Sequence, residues 1–285
     1  MPESPTVHRR RLGSALRRLR ETAGRTHREV AAYLDCSQGK VSQIELGRVP
    51  VRTSDVRLMA EFYGADTDQA SSLIELAQGS KQRGWWQEYP STAQRAGFET
   101  YLGLETAATA VSCFGADPVP ELLQTAEYSG ALLGAEDPGL DGGGIDERLT
   151  VISKRQQRLL GEHPLELWAV LDESALRRAV GGPAVMRAQL EHLVLMGYRR
   201  NVTLQVLPFT AGAHPLMGDR VAVFSFPDPA DPQVVHVGDS VNSRFLDDLA
   251  ETRPYLSVFE SVCAAALPPK DSNALISTIA DQWSN

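Results

Sequence analysis

Apolar residues recur at helical spacing through the first 80 or so positions, then give way to a pattern with two periods. In "RRRLGSALRRLRETAG" Leu12, Leu16 and Leu19 fall at i, i+4 and i+7, one stripe of a helix that Gly24 ends. Thr26, with Glu29 three residues on, forms the capping-box pattern that opens "HREVAAYL", in which Val30, Ala31 and Leu34 are apolar. "DCS" reads as a turn. Ser37 caps a third helix, "QGKVSQIELG", with Val41, Ile44 and Leu46 inward, Gln38, Lys40, Ser42 and Gln43 outward, and Gly47 at its end. "TSDVRLMAEFYG" repeats the scheme with Val56, Met59, Ala60 and Tyr63 as core, and a fifth helix runs from about Thr67 to Gln82.

Past Arg83 the pair Trp85-Trp86 opens a different kind of sequence. "GFETYLGLETAATAVSCFG" reads as helical, and "VPELLQTAEYSGALL" as a helix begun near Pro120. "AEDPGLDGGGID" has the glycine and proline density of a loop, and "DERLTVISKRQQRLL" returns to helical spacing. Leu165 to Leu171 reads as a strand; "SALRRAV" and "PAVMRAQLEHLVLMGY" read as helices. "NVTLQVLPF" alternates, Val202, Leu204 and Val206 on one face and Thr203 and Gln205 on the other; "RVAVFSF", "QVVHVG" and "SRFL" add strands. A helix around Tyr255 to Leu267 follows. The expected class is α+β: an all-α five-helix domain at 1–66, a connecting helix at 67–84, and a mixed α/β domain at 85–285.

Charge sharpens the division. The whole chain carries −8, but residues 1–63 hold 12 Lys+Arg against 7 Asp+Glu while the remainder holds 16 against 29. A basic head sits on an acidic body, and screening makes the local balance decide nucleic-acid binding. Two short helices joined by a tight turn, the second with a polar face, are a helix-turn-helix arrangement. Asp35 stands where glycine is common in the turn; Asp tolerates the left-handed conformation better than most residues. A helix fits the major groove, where Gln can bond adenine bidentately, so Gln38 and Gln43, about one and a half turns apart, are expected on one base-reading face. Lys40 and Ser42 are candidates for a base or a phosphate. His27 and Arg28 begin the preceding helix, where backbone amides favour a phosphate; Arg48 and Arg52 follow the recognition helix, and Arg9, Arg10 and Arg11 flank it. Glu45, between Ile44 and Leu46, is expected to pair internally with an arginine of the head.

The ordered series Leu-x-x-Leu-Arg, Gly-x-Thr, Glu-Val-Ala, Ser-x-x-x-Val-Ser-x-Ile-Glu-x-Gly and Tyr-Gly, spread over about 55 residues, resembles the XRE family of DNA-binding domains, which includes phage lambda-type repressors. By that resemblance Gln38 and Gln43 match base-reading positions. Gly39 sits at a third, where the missing side chain removes one contact used by relatives. The body, through "WWQEY", "YLGLETAA", "VPELLQTAEYSGALL", "RQQRLL" and "NVTLQVLPFTAGAH", resembles the C-terminal domain of actinobacterial XRE regulators described as antitoxin-like. This implies a transcriptional regulator often paired with a small companion protein. One recognition helix covers about one half-site, so a homodimer on a near-palindromic double-stranded operator is expected, its heads about one turn, roughly 34 Å, apart.

No apolar run reaches the roughly 18 to 20 residues a membrane span needs and no signal-peptide core is visible, so a cytoplasmic, nucleoid-associated location without membrane contact is expected. Cys36, Cys113 and Cys263 read as small buried thiols. GxGxxG, GxxxxGK[ST], GxSxG and HExxH patterns are absent, so neither a catalytic residue nor a cofactor or metal is called. His163, His192, His214 and His236 read as surface or packing residues. Trp85, Trp86, Glu105, Gln124, Arg155 and His214 are candidates to line an effector pocket, with Phe114 and Trp168 as further aromatic walls. Three classes stay open: a dimeric transcription factor whose body senses a ligand or companion protein, an enzyme tethered to DNA, and an antitoxin that neutralises a small partner and autoregulates its operon.

Overall fold

Five helices form the head: α1 (Pro5–Thr22), α2 (His27–Tyr33), α3 (Gln38–Glu45), α4 (Thr53–Tyr63) and α5 (Thr67–Gly79). Four begin at a residue whose side chain accepts an otherwise unpaired backbone amide: Ser4, Thr26, Ser37 and Asp66, with full capping boxes at Thr26–Glu29 and Asp66–Gln69. Their apolar stripes meet in one core containing Leu12, Leu16, Val30, Val41, Ile44, Val56 and Met59. Each such side chain contributes about 1.5–3 kcal/mol over leaving it in water. Leu73 and Ala77 belong to the same core, so α5 closes the head, and it stops at Gly79 rather than Gln82. Leu46 is a correction: it is the C-cap of α3 and 37% exposed, because it continues the outward row of Gly39 and Gln43. The turn behaves as its residue type predicts, with Asp35 at φ 49°.

The computed structural model describes residues 4–89, 97–115, 117–228, 231–238 and 243–283. The chain divides into one unit of Met1–Gln87 with Leu102–Ala107, and another of Glu88–Tyr101 with Ala108–Asn285. After the head come α6 (Phe98–Ala107), β1 (Ala110–Gly115), α7 (Ala126–Glu136), α8 (Gly142–Gln156), β2 (Glu166–Asp172), a single turn α9 (Ser174–Arg177) and α10 (Pro183–Gly197). Strands β3 (Val202–Leu207), β4 (Arg220–Ser225), β5 (Val234–Gly238) and β6 (Ser243–Leu246) precede α11 (Leu249–Ala265) and α12 (Pro269–Gln282).

Among the described residues the strands make one six-stranded sheet in the order β3-β2-β1-β4-β5-β6. β1, β2 and β3 run parallel; β4, β5 and β6 are antiparallel neighbours. One face carries Phe114, Val170, Val221, Val223, Val235 and Leu246, which pack with Phe259 and Val262 of α11. The other face carries the row Ala169–Cys113–Ala222–His236–Phe245, in register across five strands.

Several body readings are corrected. "AVSCFG" is β1 and not helix, because a strand buried on both faces shows an apolar run rather than a period. "VPELL" makes a 3-10 turn at Glu121–Leu123, and α7 starts only after Thr125, whose side chain accepts the Tyr128 amide. The glycines of "DGGGID" lie inside the first turn of α8, capped by Asp141 Oδ1 accepting from Gly144 N at 2.8 Å. "SALRRAV" is helical over four residues only, the terminal helix begins at Leu249, and α12 follows it.

Candidate functional site

α3 presents an exposed arc on a rigidly held helix. Gln38, Gly39 and Lys40 are exposed and Ser42 and Gln43 half-exposed, while Val41, Ile44 and Glu45 are buried. At about 100° per residue Gln38 and Gln43 lie roughly 140° apart, so they do not share one row. They flank an arc made of two adjacent rows, Gln38–Ser42 and Gly39–Gln43, each at i, i+4 spacing. The expectation of a single face is refined accordingly.

The arc is fixed from behind. Arg20 grips Glu45 through both arms, Nε to Oε1 at 2.7 Å and Nη2 to Oε2 at 3.0 Å, and donates through Nη1 to the Arg25 carbonyl at 2.9 Å. His27 Nε2 reaches Glu45 Oε2 at 2.9 Å. The Glu45 carboxylate, which accepts from Arg20, holds that guanidinium above its ordinary range. The internal ion pair expected of Glu45 is thus formed, and it ties α3 to α1 and α2. Gly13 lets α1 approach: a Cβ there would stand 2.5 Å from the Glu45 carbonyl oxygen.

Around the arc Arg28, Arg48 and Arg52 are exposed. Lys40 Nζ sits 3.6 Å from Asp55 Oδ2, which holds its ammonium beside α4, and His27 is directed to Glu45. Arg28, Arg48 and Arg52 thus present exposed guanidinium groups, whose planar fork matches phosphate geometry.

In the second unit a cavity of about 280 Å³ opens on the sheet face of Cys113, Ala222 and His236, walled by α6, α7, α8 and the turn at 118–124. It touches the carboxyl end of β1, the strand with β2 on one side and β4 on the other, the kind of switch point where α/β sheets bind ligands. Gln124 and Arg155 line it. Arg155 is buried, ion-paired with Glu121, with its guanidinium carbon 5.7 and 5.3 Å from the ring centres of Phe98 and Tyr101. Gln124 donates to the Val119 carbonyl at 2.6 Å and accepts from Ser129 Oγ at 2.7 Å. His236 Nε2 is hydrogen-bonded to Ser243 Oγ at 2.8 Å, and burial pushes its imidazole down to about 4, so it is neutral near pH 7.

The other pocket candidates lie elsewhere. Trp85 Nε1 donates to Thr106 Oγ1 at 3.2 Å and its ring meets Trp86 edge-on; both tryptophans and buried Glu105 belong to the first unit. His214 packs edge-on against Phe114 at 5.2 Å, with Nε2 3.7 Å from Asp172 Oδ2, and does not line the cavity. Phe114 does line it; Trp168 does not, and donates to Gln205 Oε1 at 2.8 Å. Phe98, Tyr101, Cys113, Ala222 and His236 were absent from the sequence candidates, because sheet register brings the last three together and the sequence does not display it.

Among the described residues no helix is long and apolar enough to cross a membrane. No curated protein and no solved structure matches the chain. Residues 11–73 match a family described as a helix-turn-helix domain, and residues 98–278 match one described as a domain of unknown function (DUF5753). The chain, with a DNA-binding helix-turn-helix at its N-terminus as befits a regulator, belongs to the DUF5753 family.

Proposed function

We propose that this chain is an XRE-type transcriptional regulator that works as a homodimer on a near-palindromic operator, reads bases with α3, and senses a small molecule through its C-terminal unit. It is read as a binding protein rather than an enzyme. The observation that carries the reading is the exposed arc Gln38–Gly39–Ser42–Gln43 on a helix locked by the Arg20–Glu45–His27 network. Preorganised side chains lose little entropy on entering the groove, and glutamine amides supply the paired donor and acceptor that adenine demands. Arg28, Arg48 and Arg52 add affinity by displacing counterions from the backbone, a contribution without sequence preference.

The test is a double substitution, Gln38→Ala with Gln43→Ala. Each lost bidentate contact should cost about 1–3 kcal/mol of discrimination, so operator selectivity disappears while weaker, salt-sensitive DNA binding persists. Unchanged footprints on the operator would sink the assignment of these residues.

A further inference from the structure

The cavity's chemistry restricts what it can hold. Among the described residues that line it, the buried cation is Arg155, which is already met by Glu121 and covered by the rings of Phe98 and Tyr101, whose planes lie 13° apart with centres separated by 6.4 Å. Gln124 already donates one N–H to the Val119 carbonyl of the turn and accepts from Ser129 Oγ of α7. The floor is the row Cys113–Ala222–His236, small and apolar at its middle and neutral at its imidazole. The charged residues Arg220 and Glu136 that also border the cavity are exposed to water and of opposite sign. A ligand carboxylate or phosphate entering this space would leave water without gaining an uncommitted buried cation among the described lining residues, and its desolvation would go uncompensated. At about 280 Å³ the space sits just under the roughly 300–1,000 Å³ typical of pockets for drug-sized ligands.

We propose that this cavity binds an uncharged, largely apolar small molecule, with its ring or alicyclic body against Phe98 and Tyr101 and one hydrogen-bonding group at the His236–Ser243 pair. The proposal deepens, and rests on, the reading of the C-terminal unit as a sensor. Tyr101 stands edge-on to both Phe224 and His236, at 5.0 and 5.2 Å, which fixes the aromatic wall relative to the floor. Ala222 sets the depth, because a larger side chain at that point of the row would project into the space.

The experiment uses the full chain and two dyes that share a ring skeleton, uncharged N-phenyl-1-naphthylamine and its sulfonated counterpart 8-anilino-1-naphthalenesulfonate. The uncharged dye is expected to saturate at one per chain, with the sulfonate at least about ten-fold weaker. Ala222→Leu fills the cavity from the sheet and Leu132→Trp from α7; each should weaken the uncharged dye at least about ten-fold while thermal melting stays cooperative. Equal or tighter binding of the sulfonate, no saturable uptake, or wild-type uptake by a folded filling variant overturns the proposal. Operator binding measured in parallel separates the two readings. Saturable dye uptake that leaves operator affinity unchanged supports the site and overturns its sensing role, whereas intact operator binding without uptake overturns the site alone.

Discussion

Two glycines illustrate how far a single residue's effect depends on what its missing side chain would meet. A Cβ on Gly39 would find only Ser37 Oγ, at 3.9 Å, whereas one on Gly13 would stand 2.5 Å from the Glu45 carbonyl oxygen and 2.7 Å from that of Ile44. Both lie inside helices, where glycine costs roughly 0.5–1 kcal/mol relative to alanine. Gly39→Ala should therefore stabilise the protein by about that amount, while Gly13→Ala should destabilise it by roughly 1–3 kcal/mol through overpacking of α1 on α3. Urea denaturation midpoints read both signs; a stabilised Gly13→Ala would mean that the two helices can separate without loss. Gly39 is thus held by neither conformation nor packing, which fits a position whose identity is set by what α3 touches. The role of Glu45 was legible from its place between two apolar residues. That Arg20 and His27 are its partners was not, since 25 and 18 residues of chain separate them.

At the level of elements, the turn at 118–125 buries Val119, Leu122 and Leu123, and its backbone is held by glutamines. Gln189 of α10 accepts from Thr125 N and donates to the Leu123 carbonyl, both at 2.7 Å, and Gln156 of α8 donates to the carbonyls of Glu121 and Gln124 at 2.8 and 2.7 Å. Gln189→Leu would strand a backbone donor and an acceptor, each costing about 1–3 kcal/mol when buried. A loss of roughly 2–4 kcal/mol in chemical denaturation is expected, with the Ala222 and His236 floor untouched; a loss under 1 kcal/mol would mean that the turn keeps its own bonds. The head's helices were legible because each announces itself locally, by a cap such as Thr26 with Glu29 and by a stripe such as Leu12–Leu16. β1 was not, because Ala110–Gly115 is buried between parallel and antiparallel neighbours and its strand character comes from pairing with residues 56 and more than 100 positions away. The cavity was opaque for the same reason: Cys113, Ala222 and His236 become neighbours only through sheet register.

For the whole molecule the charge division and the single recognition helix bear on one question, how a modest contact surface selects an operator. Residues 1–63 carry 12 Lys+Arg against 7 Asp+Glu, so one head meets DNA with a small positive excess, and α3 spans only Gln38–Glu45. One such surface reaches a few base pairs, whereas two joined heads convert the second contact into an intramolecular event, raising affinity by about 10²–10⁴ without any new contact. The proposed dimer therefore predicts a dependence on half-site geometry that a monomer lacks. Halving the operator should weaken binding by at least about 100-fold. Inserting about 5 base pairs between half-sites turns one half-site to the opposite side of the duplex and should do nearly the same, while inserting a full turn of about 10 base pairs should restore part of the loss only if the link between heads can extend. Because the body carries 16 Lys+Arg against 29 Asp+Glu, it is repelled by the duplex and does not supply the missing affinity itself. Fluorescence anisotropy with the four duplexes, alongside sedimentation of the free protein, makes the comparison. A full-length monomer that binds the half-site and the intact operator equally well would overturn the dimer and leave the recognition helix assignment standing.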